Sequence, residues 1–167
     1  MLSKKFLIIF LLIGGIGTLM HFVYGWSGEN PVVGVFAPVN ESIWEHLKLL
    51  FFPSIAYCAF SYLKSQKYPN DPFAALAGVF SGMLTIIILY YTYSGIIGKN
   101  IDWLNITIYF IGVAVFLAVR YLIRKNQVFT SGTANLTAIA IIILLSILFA
   151  VWSFYPPKLG IFIPPDM

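Results

Sequence analysis

The segment Pro38-Val39-Asn40-Glu41-Ser42-Ile43-Trp44-Glu45-His46-Leu47-Lys48 is a polar cluster in an otherwise apolar chain. It holds two of the six acidic residues and one of the two histidines of the protein, together with an indole and an amine. Ionisable side chains beside or within long apolar runs are expensive, and they are expected at functional sites. We therefore expect the fold to be organised around this segment.

The composition is typical of a membrane protein. Sixty per cent of the 167 residues are hydrophobic and 10% are charged, whereas a soluble domain carries roughly 25% charged residues. Several apolar runs reach the roughly 18–20 residues that a membrane-spanning helix requires. The net charge of +4 does not indicate nucleic-acid binding, because most basic residues fall in short connections between these runs. Cys58 is the only cysteine, so the chain cannot form an internal disulfide.

The apolar runs predict an all-α, polytopic membrane helix bundle with five transmembrane helices, which form one domain over residues 1–167 of a multi-pass cell-membrane protein. The spans are expected at about 6–24, 42–63, 73–97, 102–123 and 136–155. Lys4 and Lys5 resemble the start of a signal peptide. The apolar run that follows them continues past its glycines to Val23, however, which favours a retained helix.

Small residues share one face of the first span and one face of the third, which predicts close packing against neighbouring helices. The two stripes are Gly14, Gly17, Thr18, His21 and Gly25, and Ala74, Gly78, Ser81, Gly82 and Thr85. The first stripe directs His21 toward the interior of the bundle. Pro53 is expected to kink the second span, because it leaves the Leu49 carbonyl without its helical donor.

The basic residues predict that the N-terminus lies inside and the C-terminus outside. The inner segments then carry Lys4, Lys5, Lys64, Lys67, Arg120, Arg124 and Lys125, and the outer segments carry only Lys48, Lys99 and Lys158. The same orientation puts five acidic residues outside, namely Glu29, Glu41, Glu45, Asp102 and Asp166. It also puts Trp26, Trp44, Trp103 and Trp152 at outer helix ends, as in an interfacial aromatic belt.

This topology brings polar residues from four spans to the outer side. They are His21 in the first span, Glu41, Glu45 and His46 at the start of the second, Tyr90, Tyr91 and Tyr93 in the third, and Asp102 and Asn105 in the fourth. We therefore expect one polar pocket at the outer leaflet. Because Glu45 and His46 differ by about 100° around a helix, both can face protein only if the second helix is largely surrounded.

Two imidazoles and a carboxylate meet the minimum for a catalytic zinc site, which takes three protein ligands and leaves one position open. The sequence thus indicates His21, His46 and Glu41 as ligands of a divalent metal such as zinc. Without a metal, the same groups in a poorly hydrated pocket suit acid–base chemistry. The candidate catalytic residues are Glu41, Glu45, His46, His21 and Asp102.

Structural roles for these residues stay open as alternatives. Ser42 and Glu45 fit a capping box, in which the acid ties back a backbone donor at the helix start. Glu41 could serve the helix dipole, and Asp102 could cap its own helix. Trp44 and Lys48 could be interfacial anchors, and the two histidines could form a hydrogen bond across helices. The apolar residues of the proline-rich tail favour packing of that tail over the pocket.

The chain resembles a family of small, uncharacterised bacterial integral membrane proteins of unknown function. The resemblance rests on His21-Phe22, the Pro38–Lys48 segment and Phe52-Pro53, and it is specific over roughly the first third of the chain. It implies a membrane helix bundle and no particular substrate.

Three functions follow from these observations. The first is a membrane-embedded hydrolase or transferase that acts on a lipid or lipid-linked substrate at an outward-facing pocket, with membrane lipid as its partner. The second is non-catalytic binding or transport of a metal, a haem or a small solute. The third is an accessory membrane subunit that uses its small-residue stripes to bind partner helices.

Overall fold

A computed structural model describes residues 4–64 and 68–165. The six α-helices in these ranges are α1 (Lys4–Trp26), α2 (Pro31–Gly34), α3 (Ile43–Lys64), α4 (Asp71–Ile97), α5 (Asp102–Lys125) and α6 (Gly132–Phe154). A single 3-10 turn follows at Gly160–Phe162, and the described ranges contain no β-strand. The all-α prediction is therefore confirmed, and the five predicted spans correspond to the five long helices, with ends that agree to within about one turn.

Four of these helices, α1, α4, α5 and α6, are long and apolar enough to cross a membrane. The remaining long helix, α3, is not among them, and its first turns carry Glu45, His46 and Lys48. The protein is thus a helical, membrane-like bundle. That α3 also spans the membrane, and on which side the termini lie, stay predictions. Lys67 and Asp166, which the orientation argument also uses, lie outside the described residues.

The helix α3 lies at the centre of the bundle, where it packs against α1, α4 and α6. Its continuous course includes Pro53, which cannot donate a hydrogen bond to the Leu49 carbonyl. That carbonyl accepts a hydrogen bond of 3.4 Å from the Tyr109 hydroxyl of α5 instead. The same hydroxyl donates to the Ile13 and Gly14 carbonyls of α1. One tyrosine therefore joins three helices at the point where a proline has left an acceptor unpaired.

The helices α4 and α5 pack closely along the stripe predicted for the third span. A methyl group added at Gly82 would lie 2.7 Å from the Gly112 carbonyl of α5, and one added at Gly78 would lie 2.8 Å from the Phe116 carbonyl. Only glycine lets the two backbones approach this closely. The prediction of close packing on this face is confirmed for these positions.

A buried charge cluster lies where α4 begins and α5 ends. Arg120 donates to Asp71 over 2.8 Å, and the two side chains are 4% and 2% exposed. The adjacent Asn70 side chain donates to the Ile123 carbonyl in the last turn of α5 and to the Val128 carbonyl just after it. These bonds fix the start of α4 to the end of α5 and leave the other end of the bundle to form the site.

Candidate functional site

Three potential metal ligands meet at the end of the bundle where α1 finishes and α3 and α5 begin, which we call the site end. His21 Nε2 lies 3.1 Å from His46 Nε2. Glu41 Oε2 lies 3.3 Å from His46 Nε2 and 3.5 Å from His21 Nε2. Bonds of roughly 2.0–2.1 Å to a tetrahedral ion place ligand atoms roughly 3.3–3.4 Å apart. The three atoms therefore have the spacing of one face of a tetrahedral metal site.

Hydrogen bonding orients the His46 ring. Its Nδ1 lies 2.9 Å from the Ser42 carbonyl, which can only accept, so Nδ1 carries a proton. In the neutral imidazole, Nε2 then carries a lone pair directed at His21 and Glu41. Metal-binding histidines are commonly fixed in this way, with the second ring nitrogen bound to a carbonyl. The first turn of α3 thus presents His46 in the tautomer that a metal requires.

Glu41 reaches the histidines from the loop before α3. The Asn40 side chain accepts a hydrogen bond from the Ser42 amide over 2.9 Å, which forms a tight turn around Glu41. The Glu41 side chain is 59% exposed. When His46 is protonated, its Nε2 donates to this carboxylate, and that hydrogen bond is the main factor that holds the pKa of the Glu41 carboxyl below its usual range, against the opposing effect of partial burial.

Glu45 lies on another face of α3, in a buried network away from the two histidines. Its carboxylate accepts hydrogen bonds from the Val39 amide, the Lys48 ammonium and the Ser153 hydroxyl of α6. Lys48 is fully buried and also donates to the Gly34 and Ala37 carbonyls. The network holds the loop that precedes Glu41 against α3 and α6.

Two of the structural alternatives from the sequence are therefore corrected. The Ser42 hydroxyl accepts the Glu45 amide, as a capping box requires, but the Glu45 carboxylate binds Val39 instead of the Ser42 amide. Lys48 is not an interfacial anchor, because its charge is satisfied inside the protein. Trp44 is not an anchor either, since it is buried against Phe149, Trp152 and Phe162.

A cavity of about 600 Å³ adjoins the two histidines and extends from them into the bundle. Its walls come from α1, α3, α4 and α5, and Pro165 of the tail also borders it. Polar groups cluster at the site end, where His21, Glu41, His46, Asn100, Asp102 and Asn105 line it. The deeper lining is apolar apart from Thr18 and Tyr109, and includes Leu49, Ile86, Ile108 and Phe110. A volume of this size is typical of small-molecule sites.

Four of the five candidate catalytic residues thus share one cavity, and the fifth, Glu45, does not line it. Asp102 borders this cavity with the triad of His21, Glu41 and His46, but it forms no hydrogen bond or ion pair with these residues in the described part of the chain. Phe162 is buried beside Trp44, so the tail packs on the bundle, and Pro165 is the residue of its described part that borders the cavity.

Tyr109 and Ser153 were not selected from the sequence, although both form polar contacts close to the site. A tyrosine in the middle of a span is a detectable signal, because its hydroxyl needs a partner there. Ser153 offers no such signal, since serines commonly bond to their own helix, as Ser153 also does through the Phe149 carbonyl.

Comparisons with known proteins give a family and a set of distant relatives. The family described as "Family of unknown function (DUF6512)" matches residues 2–165. The chain is also similar to heme A synthase of Ehrlichia ruminantium, strain Gardel, with 25% identity over 156 residues that cover 89% of this chain and 45% of that protein. For heme A synthase of Ehrlichia canis, strain Jake, the identity is 31% over 101 residues, which cover 57% of this chain and 29% of that protein. The chain thus spans less than half the length of these relatives, and no solved structure matches it.

Proposed function

The chain belongs to this family of unknown function (DUF6512), and we propose that it is a membrane-embedded, metal-dependent hydrolase or transferase that acts on a lipid or lipid-linked substrate. The observation that carries the proposal is the spacing of His21 Nε2, His46 Nε2 and Glu41 Oε2, which lie 3.1–3.5 Å from one another. Two histidines and a glutamate are a known ligand set for catalytic zinc.

The electrostatics of the cluster favour a cation at its centre. With both imidazoles neutral, a carboxylate oxygen and the unprotonated Nε2 of His46 face each other beside His21. Electron-rich atoms at this distance require a shared proton or a metal ion between them. One divalent ion satisfies all three ligand atoms together, whereas without a metal at least two protons have to be shared among the three contacts. The proposed ion is zinc, because imidazole and carboxylate ligands in a tetrahedral arrangement suit it.

A zinc ion held by His21, His46 and Glu41 would supply one chemistry, the lowering of the pKa of water to about 7, so that hydroxide is available at neutral pH. Hydrolysis would add the oxygen of that water to an acyl or phosphoryl centre of the substrate and break the bond to the leaving group. Asp102, whose carboxylate borders the same cavity, is the proposed group that accepts the proton of the water and passes it to the leaving group.

Glu45 was also selected from the sequence, and its proposed role is to position the loop that carries Glu41. Its carboxylate is 2% exposed and holds the Val39 amide, two residues before Glu41. It would thus fix the loop from which Glu41 reaches the ion without touching the substrate.

Haem binding is the second candidate, and the names of the heme A synthase relatives favour it. Two histidines that ligate one haem iron lie on opposite faces of the porphyrin, with nitrogen atoms roughly 4 Å apart, or twice a metal–nitrogen bond. The observed 3.1 Å between the two Nε2 atoms leaves no space for a porphyrin plane. A single small ion fits the described geometry better.

The test is metal analysis and absorbance spectroscopy of protein purified in mild detergent. We expect about one zinc ion per chain, no haem band, and zinc rebinding after treatment with a chelator. His46→Ala and Glu41→Gln should each weaken zinc binding by at least about tenfold, since each removes a ligand. Asp102→Asn is the matched control and should keep the zinc, because it lines the cavity without belonging to the triad. A protein that binds no divalent metal would overturn the proposal, and a haem band would replace it with the second candidate.

A further inference from the structure

The cavity beside the metal triad has one end that closes inside the bundle and one side that faces outward between α1 and α5. At the closed end, Tyr109 of α5 donates to the Ile13 and Gly14 carbonyls of α1. A Cβ added at Gly14 would clash with the Phe110 ring, and one added at Gly17 would clash with the Tyr109 hydroxyl. The two helices therefore touch at this level and seal the cavity.

One turn closer to the site end, residues of α1 and α5 form walls of the cavity. Phe22 of α1 and Ile106 of α5 line it and are 51% and 58% exposed, and Thr18 is exposed as well. Side chains that both line a cavity and reach the outer surface mark an opening. Since α1 and α5 are two of the four helices apolar enough to cross a membrane, this opening would face the hydrocarbon of the bilayer.

The lining changes from polar to apolar along the cavity. The triad, Asp102 and Asn105 lie at the site end, while Leu49, Ile86 and Phe110 surround the deeper part. A ligand that matches this gradient has a polar group attached to a hydrocarbon chain. The polar group would lie at the ion, and the chain would extend toward Tyr109, parallel to the chains of the surrounding lipids.

We infer that this cavity binds one acyl chain of a membrane lipid, which enters sideways between α1 and α5. The inference rests on the proposed function and specifies its substrate: a lipid whose reacting bond lies at the boundary between head group and chain, within reach of the triad. The closed end at Tyr109 limits how deep the chain can go, so the depth of the cavity selects the position of the reacting bond.

The experiment uses the full chain in vesicles of phosphatidylcholine that contain a small fraction of the same lipid with a photoreactive group on one acyl chain. After illumination, peptide mass spectrometry locates the labelled residues. We expect labelling enriched at cavity residues such as Thr18, Leu49 and Tyr109, above the general labelling of exposed apolar faces.

Two variants form a matched pair. Thr18→Phe places a ring in the cavity and should reduce labelling at Leu49 and Tyr109 by about tenfold. Thr107→Phe is the control. Thr107 is also exposed, it bonds to the carbonyl four residues before it as Thr18 does, and it does not line the cavity. This variant should label like the natural protein.

Zinc content, measured on the same samples, separates the two proposals. Zinc-loaded protein with no enrichment at cavity residues, or with equal labelling in Thr18→Phe, would overturn the acyl-chain inference and leave the metal site standing. Enriched labelling in protein that binds no metal would overturn the proposed enzyme and leave the acyl-chain site standing.

Discussion

Lys48 Nζ lies 2.7 Å from Glu45 Oε2, and the two side chains are 0% and 2% exposed. A buried ion pair gains little net stability unless its remaining donors and acceptors are also satisfied. Here the ammonium has the Gly34 and Ala37 carbonyls as further partners. The ammonium therefore has three hydrogen-bond partners, and both carbonyls belong to the segment between α1 and α3 that leads to Glu41. Its removal should affect both stability and the proposed metal site.

Lys48→Met should destabilise the protein by about 3–5 kcal/mol, because it leaves the Glu45 carboxylate buried without its cation. The loop that carries Glu41 would also loosen, so zinc affinity should fall by about 10–100-fold. Thermal unfolding in detergent and zinc titration measure the two effects. Lys99→Met is the matched control, since Lys99 is exposed on another loop. If the two variants have the same unfolding temperature and the same zinc affinity, the buried ion pair does not hold the loop.

The five long helices of this protein could be predicted from sequence because their apolar runs are long, whereas the short helix α2 was not predicted. The central position of α3 could also be inferred, since adjacent Glu45 and His46 require protein on two sides of one helix. The structure confirms this reasoning, with Glu45 buried and His46 partly buried. The meeting of His21 with His46 likewise followed from the alternating direction of the spans and the small-residue face of α1.

The roles of Lys48 and Trp44 could not be predicted in this way. Both residues lie near a helix start, where interfacial anchors are common. Their burial depends on the loop, on α6 and on the tail, which fold back over α3. Sequence periodicity describes one helix at a time. It therefore carries no information about contacts between residues more than a hundred positions apart, such as the hydrogen bond from Ser153 to Glu45.

Glu41→Gln should change how stability depends on pH. In the folded protein, the hydrogen bond with His46 keeps the Glu41 pKa below the ordinary value of 4.5. The contribution of the carboxylate is therefore present above pH 4.5 and is lost as the pH falls through the lowered pKa. The groups that face it are His21 and His46. Metal-free protein should thus melt higher than the variant at pH 6, and the difference should shrink toward pH 3, with Glu29→Gln as the exposed control. A difference that grows on acidification would contradict the assignment.

Arg120→Met should destabilise the end of the bundle opposite the site end without removing the proposed metal site. The change leaves the buried Asp71 carboxylate without its closest partner, which costs about 3–5 kcal/mol. Arg124 is a poorer substitute, since its Nε lies 3.5 Å from the same oxygen. Lys125→Met is the control on the exposed end of α5. Thermal unfolding gives the loss of stability, and zinc content of the folded fraction should remain at about one per chain. Loss of zinc from folded protein would show that the two ends are coupled.

Gly17→Ala should weaken the proposed metal site through the packing of α1. A Cβ at Gly17 would clash with the Leu49 carbonyl and the Tyr109 hydroxyl, whereas a Cβ at Gly15 would meet nothing within 4 Å. His21 lies one turn beyond Gly17 on the same helix, so an outward shift of α1 would carry its ring away from His46. We expect a loss of about 1–3 kcal/mol in stability from overpacking and weaker zinc binding in the same variant. Gly15→Ala should bind zinc normally and melt at the same temperature or slightly higher, because alanine favours the helix. If both variants bind zinc like the natural protein, close contact of α1 with α3 and α5 does not set the distance between the two histidines.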